Sequence, residues 1–168
     1  MLANLFKSRD LSKLGKIFLF AVLLSNMAFS QNAGFGSLAS DRTEPIEFTS
    51  DRLIFNQGEN LAELFDEVKI IQGKTVLSAD YVKAIYSKTN KLEKVFAERN
   101  IELKSEQDIA KADTAIYSLT ENSISLIGNA RLIQGANNIM ADQILINTET
   151  GLTQLLGSVK TVISPSTN

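Results

Sequence analysis

From Glu44 onward the chain alternates. Short runs place an apolar side chain at every second position: Ile46 and Phe48, Val68 and Ile70, Ile101 and Leu103, Ala130 and Leu132, then Val159 and Thr161. Gly, Asn, Gln and Lys separate these runs. A period of two belongs to a strand with one face buried and the other in water. Helical spacing is weak everywhere, and the best helical stretch, 92–98 (LEKVFAE), is short. The pattern predicts an all-β domain over 44–163 with no significant helix after the first thirty residues.

A repeat organises the runs. A small residue followed by Asp recurs at Asp51, Asp80, Asp113 and Asp142, spaced 29, 33 and 29 residues apart. A second marker follows each: Asp66-Glu67-Val68, Arg99-Asn100-Ile101, Gly128-Asn129-Ala130 and Gly157-Ser158-Val159, at offsets of 15, 19, 15 and 15. The four additional residues of the second unit fall near Ser87–Asn90. Gln72-Gly73 and Gln134-Gly135 form a third marker, eight residues before the next repeat Asp. About four stacked units follow, none able to bury its apolar face alone. Gly73, Gly128, Gly135 and Gly157 fit turns that need positive φ.

The first thirty residues read differently. Lys7, Arg9, Lys13 and Lys16 precede an unbroken apolar run from Ile17 to Leu24, and Ala28-Phe29-Ser30 is a small-x-small sequence. This is the layout of a secretory signal peptide, cleaved after Ser30 to leave Gln31 first. The rival is a retained membrane anchor, against which Ser25 and Asn26 interrupt the run. Residues 31–43 read as a flexible leader and 164–168 as a disordered tail. The expected route is export.

Composition narrows the chemistry. The whole chain carries a net charge of -2. Without residues 1–30 it has thirteen cations and eighteen anions, net -5. Nothing there invites nucleic acid or an anionic surface. There is no Cys and no His, which removes disulfides, thiol nucleophiles, imidazole bases and the commonest metal ligands. No cofactor is implied. The regular acids stand about thirty residues apart, one per unit, and no nucleophile elbow or phosphate loop is present. An enzyme is not expected. The Asp ladder could hold Ca²⁺, but the spacing of a dedicated calcium loop is missing, and an Asx-turn to backbone amides is the favoured role.

Three segments carry a resemblance. Glu44 to Asp51 (EPIEFTSD), Ile71 to Asp80 (IQGKTVLSAD) and Leu126 to Gly135 (LIGNARLIQG) resemble, in order and spacing, the LptA/OstA family of lipopolysaccharide-transport proteins. The resemblance spans about 44–163. It implies an open, twisted β-jellyroll whose hydrophobic groove carries the acyl chains of lipid A across the periplasm. It implies head-to-tail homo-oligomers and two partners, an LptC-like inner-membrane protein and an LptD-like outer-membrane protein. It also implies that the two apolar residues after the opening proline, Ile46 and Phe48, face the lipid. Repeat equivalence extends the expected lipid-binding set to Val68, Ile70, Ile101, Leu103 and Leu132. Arg99 and Asp66 depart from the glycine of the later units, and Thr161 makes the last rung less apolar. The alternatives are an LptC-like anchored subunit of the same pathway and a structural β-repeat protein without cargo.

Overall fold

The computed structural model describes residues 35–106 and 108–163. The segment read as a signal peptide, the beginning of the leader and the tail 164–168 lie outside them.

Among the described residues ten strands follow a single helical turn, α1 (Leu38–Asp41): β1 (Ile46–Thr49), β2 (Arg52–Asn56), β3 (Leu61–Gln72), β4 (Thr75–Tyr86), β5 (Leu92–Ser105), β6 (Asp108–Ser118), β7 (Ser123–Gln134), β8 (Asn137–Asn147), β9 (Thr153–Leu156) and β10 (Lys160–Val162). All pairings are antiparallel and nearly all join sequence neighbours. β1 and β2 share one edge of β3, and β10 and β9 share one edge of β8. Each pair of short strands is therefore one bent strand that caps an end of the sheet. The fold is an open β-jellyroll, as the repeat and the resemblance lead one to expect.

The bend explains the repeat. Register breaks between Phe65 and Val68 on β3, between Glu98 and Ile101 on β5, and between Ile127 and Ala130 on β7. At each break the odd-numbered strand holds one more residue than its partners, which defines a β-bulge and bends the sheet sharply. Positive φ marks the sites: Asp66 (63°) and Glu67 (48°), Arg99 (65°) and Asn100 (52°), Gly128 (81°) and Asn129 (45°), and Gly157 (75°) beyond β9. The repeat Asp residues sit opposite these bulges. Gly128 and Gly157 thus have the expected positive φ at mid-sheet corners, not in strand-to-strand turns; Gly73 and Gly135 do occupy hairpin turns.

The corners fold the sheet into two facing arms. The first holds β1, β10 and the halves of β3 to β8 next to the Gly73, Glu106 and Gly135 turns. The second holds β2, β9 and the other halves. Burial alternates along both arms, for example at Ala62 and Leu64, Val95 and Ala97, and Leu126, Ala130 and Leu132. Fully burying each Leu, Ile or Val contributes about 1.5–3 kcal/mol.

The all-β reading holds through the stretch with the best helical spacing, and one expectation, at the leader, is corrected. Residues 92–98 lie in β5, with Val95 and Ala97 inward and Lys94 and Phe96 outward. Pairing with both β4 and β6 outweighs the local helix preference of LEKVFAE. The described end of the expected flexible leader is packed: Phe35 is 0% and Leu38 4% exposed. Their spacing of three puts both apolar side chains on one side of a single turn, which the domain buries. The lengthened second unit is accommodated near its expected place, by the 87–91 connection and a bulge between Ile85 and Tyr86.

Candidate functional site

The inner surface consists of cross-strand rows that run the width of the sheet. On the first arm the row is Phe48, Ile70, Leu77, Leu103, Ala110, Leu132, Ile139 and Thr161, each directly opposite the next. On the second arm one row is Leu53, Leu64, Val82, Ala97, Ala115, Leu126, Ile144 and Leu155. A parallel row there is Phe55, Ala62, Ala84, Val95, Tyr117, Ile124, Ile146 and Thr153. None of these rows carries a charge. On the second arm Ala97 stands directly opposite Ala115 and Ala62 opposite Ala84, among Leu, Ile and Val.

The rows do not end as a closed core would. Leu53 and Phe55 at the β2 end remain 58% and 56% exposed although their register turns them inward. Leu155 at the other end is only partly buried. The apolar interior thus runs through the domain from one sheet edge toward the other. Any extended apolar ligand laid along it would meet hydrocarbon on both sides.

A polar row rims the mouth of the first arm: Gln72, Thr75, Ser105, Asp108 and Gln134. Tyr117 reaches across from the second arm and donates its hydroxyl to Gln72 Oε1 at 3.2 Å. Burial raises the pKa of that phenol, so it stays a donor. The segment 35–42 crosses the mouth beside these groups. Asp41, itself buried, accepts hydrogen bonds from the Lys74 amide (3.1 Å) and the Thr75 hydroxyl (2.7 Å). Ser37 and Ser105 share a hydrogen bond through their hydroxyls. Gln72 Nε2 donates to the carbonyls of Arg42 (3.0 Å) and Glu44 (3.1 Å). On the opposite arm Arg42 pairs with Glu149 at 3.4 Å.

Apart from Asp41 and Asp108 at the rim, the charged groups named here lie on the outer face. Glu102 sits between Lys104 (2.6 Å) and Lys111 (2.8 Å), whose hydrogen bonds hold its carboxyl below the ordinary range. Tyr81 donates to Glu63 at 2.6 Å, and partial burial together with that bond pushes its phenol up to about 12. A cleft of about 740 Å³ lies along the outside of the corner, where Arg99, Lys111, Asp113, Asn129 and Arg131 make it polar. It is unsuited to hydrocarbon.

The repeat Asp residues act at the corner. Asp80 accepts from Asn100 Nδ2 at 2.7 Å and Asp113 from Asn129 Nδ2 at 2.8 Å. The partner is the side-chain amide of the bulge, not the backbone amide of an Asx-turn. Among the described residues no group of three or more His, Cys, Asp or Glu is placed to hold a metal ion.

All seven residues singled out from the sequence lie on the inner face of the first arm. Val68, Ile70, Ile101, Leu103 and Leu132 are 1–6% exposed, and Ile46 and Phe48 pack half-buried against the same cluster. The facing wall was missed: Leu53, Leu64, Val82, Val95, Leu126 and Ile144 complete the interior. The signal for them was present, since they alternate on the far side of each repeat marker. For Val82 and Ile144 the parity change on the even strands hid it, because inward positions shift from Ala79 to Val82 and from Ala141 to Ile144; Leu64, Val95 and Leu126 keep the phase of Val68, Ile101 and Ala130 across the bulge.

Comparison with known proteins fits this arrangement. The lipopolysaccharide export system protein LptH of Pseudomonas aeruginosa is 29% identical over 135 residues, covering 73% of this chain and 77% of that protein. An uncharacterized protein of Rhizobium meliloti, R00383, is 26% identical over 146 residues, covering 80% of this chain and 78% of its own. The crystal structure of LptH, described as the LptA-homologous periplasmic component of the lipopolysaccharide transport device of Pseudomonas aeruginosa, superposes with a TM-score of 0.65 at 23% identity, over 75% of this chain and 99% of that one. Residues 47–152 match the family described as LptA/(LptD N-terminal domain) LPS transport protein, and the chain belongs to that family.

Proposed function

We propose that this protein carries lipopolysaccharide through the periplasm, with the acyl chains of lipid A between the two arms and the headgroup in water. The observation that supports this reading most is the uncharged interior that continues to an exposed apolar end at Leu53 and Phe55. Each methylene left in water costs about 0.8 kcal/mol, so a chain of roughly a dozen costs on the order of 10 kcal/mol. An apolar trough removes that cost without any chemistry. Ile46, Phe48, Val68, Ile70, Ile101, Leu103 and Leu132 would form one wall and the second-arm rows the other. Hand-over between carriers then requires only comparable affinities, and direction comes from outside the domain.

The same reading has copies of the chain joining head to tail, with an LptC-like protein at the inner membrane and an LptD-like protein at the outer membrane. Its support is the pair of bent edges, β1 with β2 and β9 with β10, which carry exposed Ile54, Leu156 and Val162. Edge strands with unpaired amides and carbonyls invite pairing with another chain.

A photo-crosslinker placed at Ile46 or Phe48 tests the cargo: lipopolysaccharide is the expected adduct in the native host, and its absence there would sink the reading. The mass of the exported protein tests its form. A start at Gln31 is expected, whereas an intact Met1 would make this an anchored subunit.

A further inference from the structure

The segment 35–42 behaves like a latch, not like a strand. Among the described residues, every backbone–backbone hydrogen bond of 35–44 stays within the segment, as from Leu38 N to Phe35 O and from Glu44 N to Asp41 O. What ties it to the arms is a set of side-chain bonds: Asp41 and Ser37 to the rim, Gln72 of the rim to the Arg42 carbonyl, and Arg42 to Glu149 of the opposite arm. Water can replace each of these. The ladder that begins at β1 cannot be released as easily.

The seat is nevertheless closely fitted. A Cβ on Gly73 would run into the Asp41 carboxylate, and a Cβ on Gly151 would come within 2.9 Å of Gly36 Cα. Through this seat Phe35 and Leu38, 0% and 4% exposed, join the same cluster as Ile70, Leu103 and Leu132. That cluster is where the preceding section places acyl chains.

We infer that residues 35–42 are a displaceable strap, whose Phe35 and Leu38 occupy acyl-chain space in the empty protein and leave when lipid enters. The inference rests on the carrier reading and adds its regulation. Strap and acyl chain both gain by leaving water, so exchange of one for the other changes the buried apolar area little. With the strap seated, the apolar surface beneath residues 35–42 is kept from solvent, whereas the end at Leu53 and Phe55 stays open. The lipid binds with only its advantage over the strap, as any ligand that selects one of two states must. Pro45 ends the segment next to β1, so that outward movement need not disturb the β1–β3 ladder.

The chain has no cysteine, so Ser37→Cys with Ser105→Cys adds a single disulfide that locks the strap. Binding of pyrene-labelled dodecanoic acid and of purified lipopolysaccharide is measured on the oxidised and reduced full chain, with circular dichroism as the check of folding. The locked form should bind both at least tenfold more weakly than the reduced form, which should match the unaltered protein. Phe35→Ser should bind at least threefold more tightly. Equal affinity of the locked and reduced forms would overturn the strap and leave the carrier reading standing. Failure of every form to bind either probe would remove both.

Discussion

Asn129 closes the corner of β7 by donating its side-chain amide to Asp113 at 2.8 Å, and the bond joins two of the sequence markers that recur together. The amide comes from a residue held at φ 45°, so the bulge and its brace are one unit. A hydrogen bond to a charged group contributes about 1.5–3 kcal/mol when protected, less at an exposed site. Asp113→Ala is therefore expected to cost about 1 kcal/mol, read as a lower denaturant midpoint at unchanged slope. A variant as stable as the parent would remove the brace from the account.

Two glycines with positive φ separate backbone strain from crowding. Gly135 (57°) has nothing within 4 Å of an added Cβ, whereas at Gly128 (81°) the Cβ would stand 2.6 Å from Asp113 Oδ2. Gly135→Ala should lose only the left-handed penalty, about 1–2 kcal/mol. Gly128→Ala should lose clearly more, because the Asp113 brace must shift as well. Equal losses in thermal melts would show that crowding plays no part.

These corners show why only part of the fold was legible in the sequence. The period-two runs around Ile70, Leu103 and Leu132 announce the first arm, because each follows a marker directly and keeps one parity, and the run at Phe48 stands just before the first repeat Asp. The all-β class and the repeat length follow from the same runs. On β4, β6 and β8 the second arm escaped because Asp80, Asp113 and Asp142 shift the inward positions by one, which breaks any search that holds the phase constant; on β3, β5 and β7 the phase holds through the bulge, as from Leu64 to Val68. Residues 35–43 escaped for another reason: two apolar side chains among small polar ones look like leader until a rim built from residues 72–75 and 105 receives them.

Interior and edge positions should respond oppositely. Leu103 is 1% exposed and central in its row, so Leu103→Ala is expected to cost about 2–5 kcal/mol. Phe55, 56% exposed on the bent edge, should tolerate Phe55→Ser with roughly 1 kcal/mol or less. Light scattering across a concentration series should show weaker self-association for Phe55→Ser. Unaltered association would argue against the β2 edge as a contact.

Alkaline titration has a defined sign. The Tyr81 phenol is raised from 10 to about 12, so the folded state holds its proton more tightly than the unfolded state. The corresponding stability is fully present below pH 10 and is lost between about pH 10 and 12. In a tyrosinate absorbance titration of the folded protein, Tyr81→Phe should remove a late-ionising component. Loss of an early component instead would contradict the partial burial and the bond to Glu63.

Six of the strands, β3 to β8, belong to both arms, since each passes through the corner without a break in its covalent path. The walls therefore cannot slide past one another like the sheets of a sandwich. Their separation is set by torsion at a short line of bulge residues, in the way a spine sets the opening of a book. Width can change along the whole length with few ladder bonds exchanged, and bending at one page is felt by its neighbours. The bonds from Asn100 to Asp80 and from Asn129 to Asp113 stand along that line, where they brace the hinge common to both walls.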